Sequence, residues 1–316
     1  MHERISMDTI HQLHSALIPE SVAVIGASER ESSRGTTLWK NLVSCGFNGR
    51  LYPVNPKYRY IGDVPCYGSI QNIEDKIDLA VLAVPSKYIE KALEDIAAHG
   101  TRWVALAPSD PSVTSDPSWQ ASIVNKAQSL GIRLIGTDCL GIMRPSIGLN
   151  ASYWHELPLA GHVGFATQSG VIGTSLFASK RIRDIGFSTL INTGDEIDVS
   201  MSDMVDFLAQ DKETNVIVLH VEGIRNPREF FSAVREACKH KPVIVLRGGK
   251  SQQASQLLAS RMGVPAGDDR VFNALLERAG AIRVYGLEDM LSAIEIFCQR
   301  RLPRGNRIGI ISNGSS

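Results

Sequence analysis

Ser21-Val22-Ala23-Val24-Ile25-Gly26-Ala27-Ser28-Glu29-Arg30-Glu31-Ser32-Ser33-Arg34-Gly35-Thr36-Thr37-Leu38-Trp39 is the stretch around which the rest of the chain is arranged. It opens on an apolar run long enough for one buried strand. Gly26, a polar loop with Ser28, Ser32 and Ser33, and a second glycine, Gly35, follow. The spacing then predicts a helix with Leu38, Leu42 and Val43 on its buried face. A strand, a glycine turn and a helix start together present backbone N–H groups and a positive helix end to an anion. The serines and Arg34 add donors, so the stretch implies a nucleotide-type anion site.

The dinucleotide fingerprint G-x-G-x-x-G is absent, because the first glycine after Gly26 is Gly35. The next predicted strand, Leu51-Tyr52-Pro53-Val54, runs into Asn55-Pro56-Lys57, where an acid would hold a ribose diol. A lysine there suits phosphate and not a bare diol. Coenzyme A, with its pyrophosphate and its 3′-phosphate, fits this exchange better than NAD. The alternative is a structural glycine turn beside a solvated lysine.

Outward from this stretch, strands are predicted at 22–26, 51–54, 78–84, 103–107 and 132–135. Helices are predicted at 35–45, 87–99 and 117–130. A second alternating series has strands at 162–166, 187–191, 215–221, 242–246 and 281–284. Its helices are at 170–182, 199–209, 227–239, 268–279 and 287–299. Such alternation specifies parallel sheets covered on both faces. The fold class is therefore α/β, a Rossmann-like domain followed by a flavodoxin-like doubly wound domain. The expected limits are a lead-in helix in 1–20, domains at 21–145 and 146–300, and a linker with the first strand of a further domain at 301–316.

The 33 basic and 33 acidic residues balance, and no basic run interleaves with aromatics, so nucleic acid is not an expected partner. Five cysteines share no metal spacing, and an odd number argues against a disulfide framework. No metal is expected: His11 and His14 make at most half a site. No run approaches about 18 apolar residues, so no membrane span is expected. A reducing cytoplasm is the expected compartment.

Val24-Ile25-Gly26-Ala27-Ser28, Tyr52-Pro53-Val54-Asn55-Pro56-Lys57 and Asp78-Leu79-Ala80-Val81-Leu82-Ala83-Val84-Pro85 resemble the CoA-binding domain of the NDP-forming acyl-CoA synthetases, a superfamily that includes succinyl-CoA ligase α subunits. The resemblance continues through Gly136-Thr137-Asp138-Cys139-Leu140-Gly141, Thr167-Gln168-Ser169-Gly170, Gly194-Asp195 and Val221-Glu222-Gly223. It implies CoA or acyl-CoA contacts from Gly26, Ala27, Ser28, Arg34, Gly35, Thr36, Val54, Asn55, Pro56, Lys57, Val84 and Pro85. Cys139 would stand near the thiol end. It also implies a phosphate site at the helix start formed by Gln168, Ser169 and Gly170, and makes Glu222 the match for a glutamate that orients a phosphohistidine.

Two departures bear on chemistry. The fourth strand end reads Pro108-Ser109-Asp110-Pro111-Ser112-Val113-Thr114 instead of the family's glycine-rich, acid-containing loop. In Ala259-Ser260-Arg261-Met262-Gly263-Val264-Pro265-Ala266-Gly267, Arg261 falls where the family's phosphorylated histidine belongs, and no histidine occurs from Lys241 to Ser316. A guanidinium stays protonated and cannot accept a phosphoryl group. The pattern resembles the degenerate synthetase region of bacterial protein lysine acetyltransferases, so a regulatory CoA-binding role is expected. The alternative is an active ADP-forming acyl-CoA ligase α-type subunit. Expected partners are an ATP-grasp domain or subunit, a C-terminal acetyltransferase domain and further copies of the chain, which itself is expected to be a fragment.

Overall fold

A computed structural model describes residues 13–107, 110–249 and 267–299, with isolated positions between 251 and 263 and between 305 and 313. Arg261, Pro108, Ser109 and residues 1–12 lie outside the described residues.

The first sheet is built from β1 (Ser21–Ile25), β2 (Arg50–Val54), β5 (Leu79–Leu82), β6 (Trp103–Leu106) and β7 (Arg133–Ile135), with the small antiparallel pair β3 (Tyr60–Ile61) and β4 (Val64–Pro65) between β2 and β5. The order is β2-β1-β5-β6-β7, with every pairing parallel. Its strands are apolar on both faces because helices cover both. The order reverses between β1 and β5, which opens a crevice at their carboxyl ends.

Helix α1 (Arg34–Ser44) begins at Ser33, whose side chain accepts the Thr36 N–H. It buries Leu38, Trp39 and Leu42. Val43, expected on that face, is 50 % exposed. Five residues beyond Leu38 it lies about 140° around the helix, and Trp39 takes the place assigned to it. Helices α2 (Ile89–His99) and α3 (Pro117–Ser129) cover the other face through Leu93, Ile96, Ile123 and Ala127.

The second sheet contains β8 (Gly141–Arg144), β9 (Leu149–Ser152), β10 (Ala160–Thr167), β11 (Phe187–Asn192), β12 (Val216–Val221), β13 (Val243–Arg247) and β14 (Ile282–Val284). Their order is β14-β13-β12-β10-β11-β8-β9. Five parallel strands form the flavodoxin-like part, and the β8–β9 hairpin adds an antiparallel edge on β11. The sequence pattern reads this hairpin as a turn and a connection. Four-residue strands with Gly141 at one end and Asn150 and Ser152 within carry too little alternation to be seen.

Helices α4 (Gly170–Ala178), α5 (Met201–Gln210), α6 (Pro227–Ala237), α7 (Asp269–Ala279) and α8 (Leu287–Phe297) flank this sheet. The helix expected to reach 182 stops at Ala178, and a separate 3-10 turn covers Lys180–Ile182. Positions 307 and 309–312, expected to start a strand, are not in one. A lone strand has no ladder to join.

One core crosses the two sheets. Leu38, Trp39 and Leu42 of α1 belong to the same buried cluster as Ile142, Ala166 and Ile191 of the second sheet. Polar clamps reinforce this join. The Asn41 amide donates to the carbonyls of Ser152 (2.7 Å) and Trp154 (3.0 Å). The Asp198 carboxylate accepts from Leu134 N–H at 2.8 Å and from Arg133 Nε at 3.0 Å.

Candidate functional site

The crevice between β1 and β5 holds a cavity of about 650 Å³. Two glycines shape its floor. Gly26 turns the chain at φ +94°, and a Cβ there would lie 2.6 Å from the Ala83 carbonyl oxygen. Gly35 brings α1 so close that its Cβ would lie 1.9 Å from the Gly26 carbonyl oxygen. The intervening loop is tied from inside by Thr36, whose hydroxyl hydrogen-bonds to the carbonyls of Ser28 (2.8 Å) and Arg30 (2.7 Å).

The structure brings ten of the sequence-predicted residues to this cavity: Gly26, Ser28, Arg34 and Gly35 from the first loop, Val54, Asn55, Pro56 and Lys57 from the end of β2, and Val84 and Pro85 from the end of β5. Asn55 shapes the wall. Its side chain donates to the Ala27 carbonyl (2.8 Å) and accepts from the Lys57 N–H (3.0 Å), which turns the lysine segment back over the glycine loop.

Three predicted residues lie off the cavity lining. Ala27 is fully buried beneath the loop, and Thr36 is spent on the carbonyls named above. Cys139 is buried, with its thiol directed at the Leu106 carbonyl at 3.0 Å. Burial pushes its pKa up to about 12, with the Asp138 charge acting in the same direction, so it is a poor nucleophile at neutral pH.

The cavity also takes residues that sequence reasoning missed. Arg30, Tyr58 and Lys91 line it, beside Ser33, one of the loop serines read as donors. Lys91 pairs with Asp95 at 2.7 Å, a spacing of four on one face of α2, and Asp95 also accepts from the Gln71 amide at 3.1 Å. That helical pair was the available signal, but it reads equally as a solvated pair. Around the cavity stand Arg30, Arg34, Lys57 and Lys91 against one carboxylate, Asp95, already engaged. Apolar walls from Ile25, Val54, Ile70 and Val84 complete it. A polyanion with an aromatic body suits this set. No histidine or cysteine lines the cavity among the described residues.

A second constellation stands at the carboxyl ends of β10 and β12. Gln168 is a clamp: its Oε1 accepts the N–H groups of Glu222 (2.6 Å) and Gly223 (3.0 Å), and its Nε2 donates to the Gly223 carbonyl (2.7 Å). Ser169 is buried at the start of α4, where its N–H donates to the Thr167 hydroxyl at 3.0 Å. Glu222 comes close to the loop after β13, since a Cβ on Gly248 would lie 3.3 Å from its Cγ.

His220 stands beside this helix start. Its Nδ1 is 3.3 Å from the Thr167 hydroxyl, and the residue is 3 % exposed. The ring meets the hydroxyl that serves the Ser169 amide, not the amide itself. Among the described residues, no group of three or more His, Cys, Asp or Glu side chains is arranged to hold a metal ion.

Two family models match the chain: a CoA binding domain over residues 20–145 and a succinyl-CoA ligase like flavodoxin domain over residues 160–297. The ADP-forming acetate–CoA ligase I subunit alpha of Pyrococcus furiosus is 30 % identical over 308 residues, covering 96 % of this chain and 67 % of that protein. The chain belongs to the NDP-forming acyl-CoA synthetase superfamily.

This synthetase-like chain is also 34 % identical to the ADP-forming acetate–CoA ligase of Methanocaldococcus jannaschii, covering 96 % of the chain and 43 % of that protein. Among solved structures it is similar to the dinucleotide forming acetyl-coenzyme A synthetase 1 of Ca. Korarchaeum cryptofilum in complex with phosphate and ADP. The TM-score is 0.87 at 28 % identity, over 93 % of this chain and 64 % of that one. The chain thus spans less than two thirds of most of these relatives. Its first half is a CoA-binding domain and its cofactor is coenzyme A. No helix among the described residues is long and apolar enough to cross a membrane.

Proposed function

We propose that this chain is the CoA- or acyl-CoA-sensing region of an acyl-CoA synthetase-like protein that has lost the phosphohistidine step, as in the protein lysine acetyltransferases that it resembles. The cavity carries this reading: a glycine-cornered loop with Arg30 and Arg34, Lys57 from the end of β2, and apolar walls meet in one crevice. The pyrophosphate and 3′-phosphate of CoA would be held by the loop amides and these cations, and the adenine by the Val84–Pro85 side. Arg261, in place of the phosphoacceptor, supports a regulatory role. An acetyltransferase domain and an ATP-grasp domain or subunit are the proposed partners, in an assembly of more than one copy, in the cytoplasm.

Calorimetric titration with CoA, acetyl-CoA, NAD and ATP tests the reading. The expected result is binding of CoA and acetyl-CoA, and Lys57→Ala weakening CoA about tenfold through loss of one charge-assisted contact. Binding of NAD with no heat from CoA would overturn it.

A second reading, an active ADP-forming ligase α-type subunit, is favoured by one observation. Glu222 is retained beside the helix start, and an imidazole, His220, lies against Thr167. That reading predicts acid-labile phosphate on the protein after incubation with acetyl phosphate. The regulatory reading predicts none.

A further inference from the structure

Arg34 is the cavity cation that also meets the second half of the fold. Its guanidinium lies over the ring of Tyr153, 5.5 Å from the centroid. Tyr153 follows directly on β9 and does not itself line the cavity. Four contacts fix it in place. Its hydroxyl donates to the Ala107 carbonyl at the end of β6 (3.3 Å), and its N–H donates to the Leu140 carbonyl (2.8 Å). The carbonyls on either side of it, Ser152 and Trp154, are both held by the Asn41 amide. Asn41 and Arg34 belong to the same helix, two turns apart. Helix α1 therefore delivers the arginine at one end and, from further along, secures the ring on which that arginine rests.

An arginine with four rotatable bonds loses entropy each time it is fixed on a phosphate. A ring face that attracts the guanidinium removes part of that loss beforehand and leaves the N–H edge available for an anion. We infer that Tyr153 is a positioning residue of the CoA cavity, holding the Arg34 guanidinium for the cofactor's phosphates from a segment outside the CoA-binding domain. The inference rests on the CoA reading above. It adds that the cavity is complete only when the strand hairpin of the second sheet is docked on α1.

The test is calorimetric titration of the whole chain with CoA, for the wild type and for Tyr153→Phe, Tyr153→Leu, Arg34→Ala and Tyr153→Leu/Arg34→Ala. Tyr153→Phe keeps the ring, and Tyr153→Leu keeps apolar bulk without a π face, so both retain a folded chain, checked by their melting profiles. Expected are CoA affinity within about twofold of wild type for Tyr153→Phe, and a loss of about threefold to tenfold for Tyr153→Leu. In the Arg34→Ala background, Tyr153→Leu should cause no further loss, because the two residues act as one. Unchanged affinity in Tyr153→Leu would overturn the inference. So would losses that simply multiply, or a Tyr153→Phe loss as large as that of Tyr153→Leu. Absence of CoA binding by the wild type would instead overturn the CoA reading itself.

Discussion

The Cα of Gly35 stands so near the Gly26 carbonyl that a Cβ on Gly35 would lie 1.9 Å from that oxygen. No side chain can yield here, because the opposing atom is backbone. Gly35→Ala must push α1 away from the β1 turn, and overpacking of this kind costs about 1–3 kcal/mol. The expected outcome is a lowered unfolding midpoint together with loss of CoA binding. Gly46 is the comparison: it has positive φ, which Gly35 does not, and a Cβ there meets nothing within 4 Å. Gly46→Ala should cost about 1 kcal/mol from backbone strain alone and leave CoA affinity intact. Urea unfolding paired with calorimetry separates the two.

Arg144 is 2 % exposed in the second sheet. It donates through Nη1 and Nη2 to the two oxygens of Asp211 (3.1 and 3.0 Å), through Nη1 also to the Thr189 hydroxyl (2.6 Å), and through Nη2 to Glu213 (3.1 Å). Burial pushes the Asp211 carboxyl upward. The hydrogen bonds from Arg144 and Thr214 outweigh it and hold the group below its usual range. Removing only the acid leaves the buried cation with the more exposed Glu213 as its remaining carboxylate partner. Asp211→Ala should therefore destabilise by about 3–5 kcal/mol, whereas Arg144→Met together with Asp211→Ala should lose much less. Denaturant unfolding of the three proteins measures the difference, and CoA affinity should not follow it.

The long parallel strands and the glycine corner were legible because each is local: a run such as Leu79–Leu82 is apolar throughout, and Gly26 with Gly35 marks a close approach. The hairpin β8–β9 was not, since its strands are four residues long and β9 turns polar Asn150 and Ser152 inward, where they bond to each other and to the Trp154 backbone. At the cavity, Lys57 was legible as a lysine replacing an acid at a strand end. Lys91 was hidden in an ordinary helical charge pair. The Arg34–Tyr153 contact spans more than one hundred positions, and no periodicity joins residues that far apart. Gln168 stood in a motif that the sequence singled out, but only the fold shows that its amide also clamps the turn at Glu222 and Gly223.

That clamp predicts a local defect. Gln168→Ala withdraws one acceptor from two N–H groups and one donor from the Gly223 carbonyl. Partial access of water to the turn limits the cost to about 2 kcal/mol. The expected result is a lower melting temperature and faster proteolytic cleavage in the loop after β12, at unchanged CoA affinity, because neither Gln168 nor this turn is among the described residues that line the cavity at β1. Cleavage at the wild-type rate would mean that the turn holds itself.

Glu196 gives the second sheet a pH dependence of unusual sign. Its carboxyl is buried and takes a hydrogen bond from the Thr193 hydroxyl at 2.9 Å. Burial pushes its pKa from the ordinary 4.5 up to about 7, against the pull of Gln168, Thr193 and the Arg225 charge. In the unfolded chain it titrates near 4.5, so between the two values the folded state binds the extra proton. Its contribution is then greatest below the unfolded value and is lost as pH rises through 7, by on the order of 3 kcal/mol in full. Asp206, raised to about 6 by burial and by the charges of Asp203, Glu229 and Glu236, acts with the same sign, so the comparison must isolate one group. Glu196→Gln does so. Measured by urea unfolding from pH 5 to pH 8, the stability of the wild type should fall relative to Glu196→Gln across that interval. Parallel pH curves for the two proteins would mean that Glu196 is ionised in the fold and that Arg225 compensates its burial.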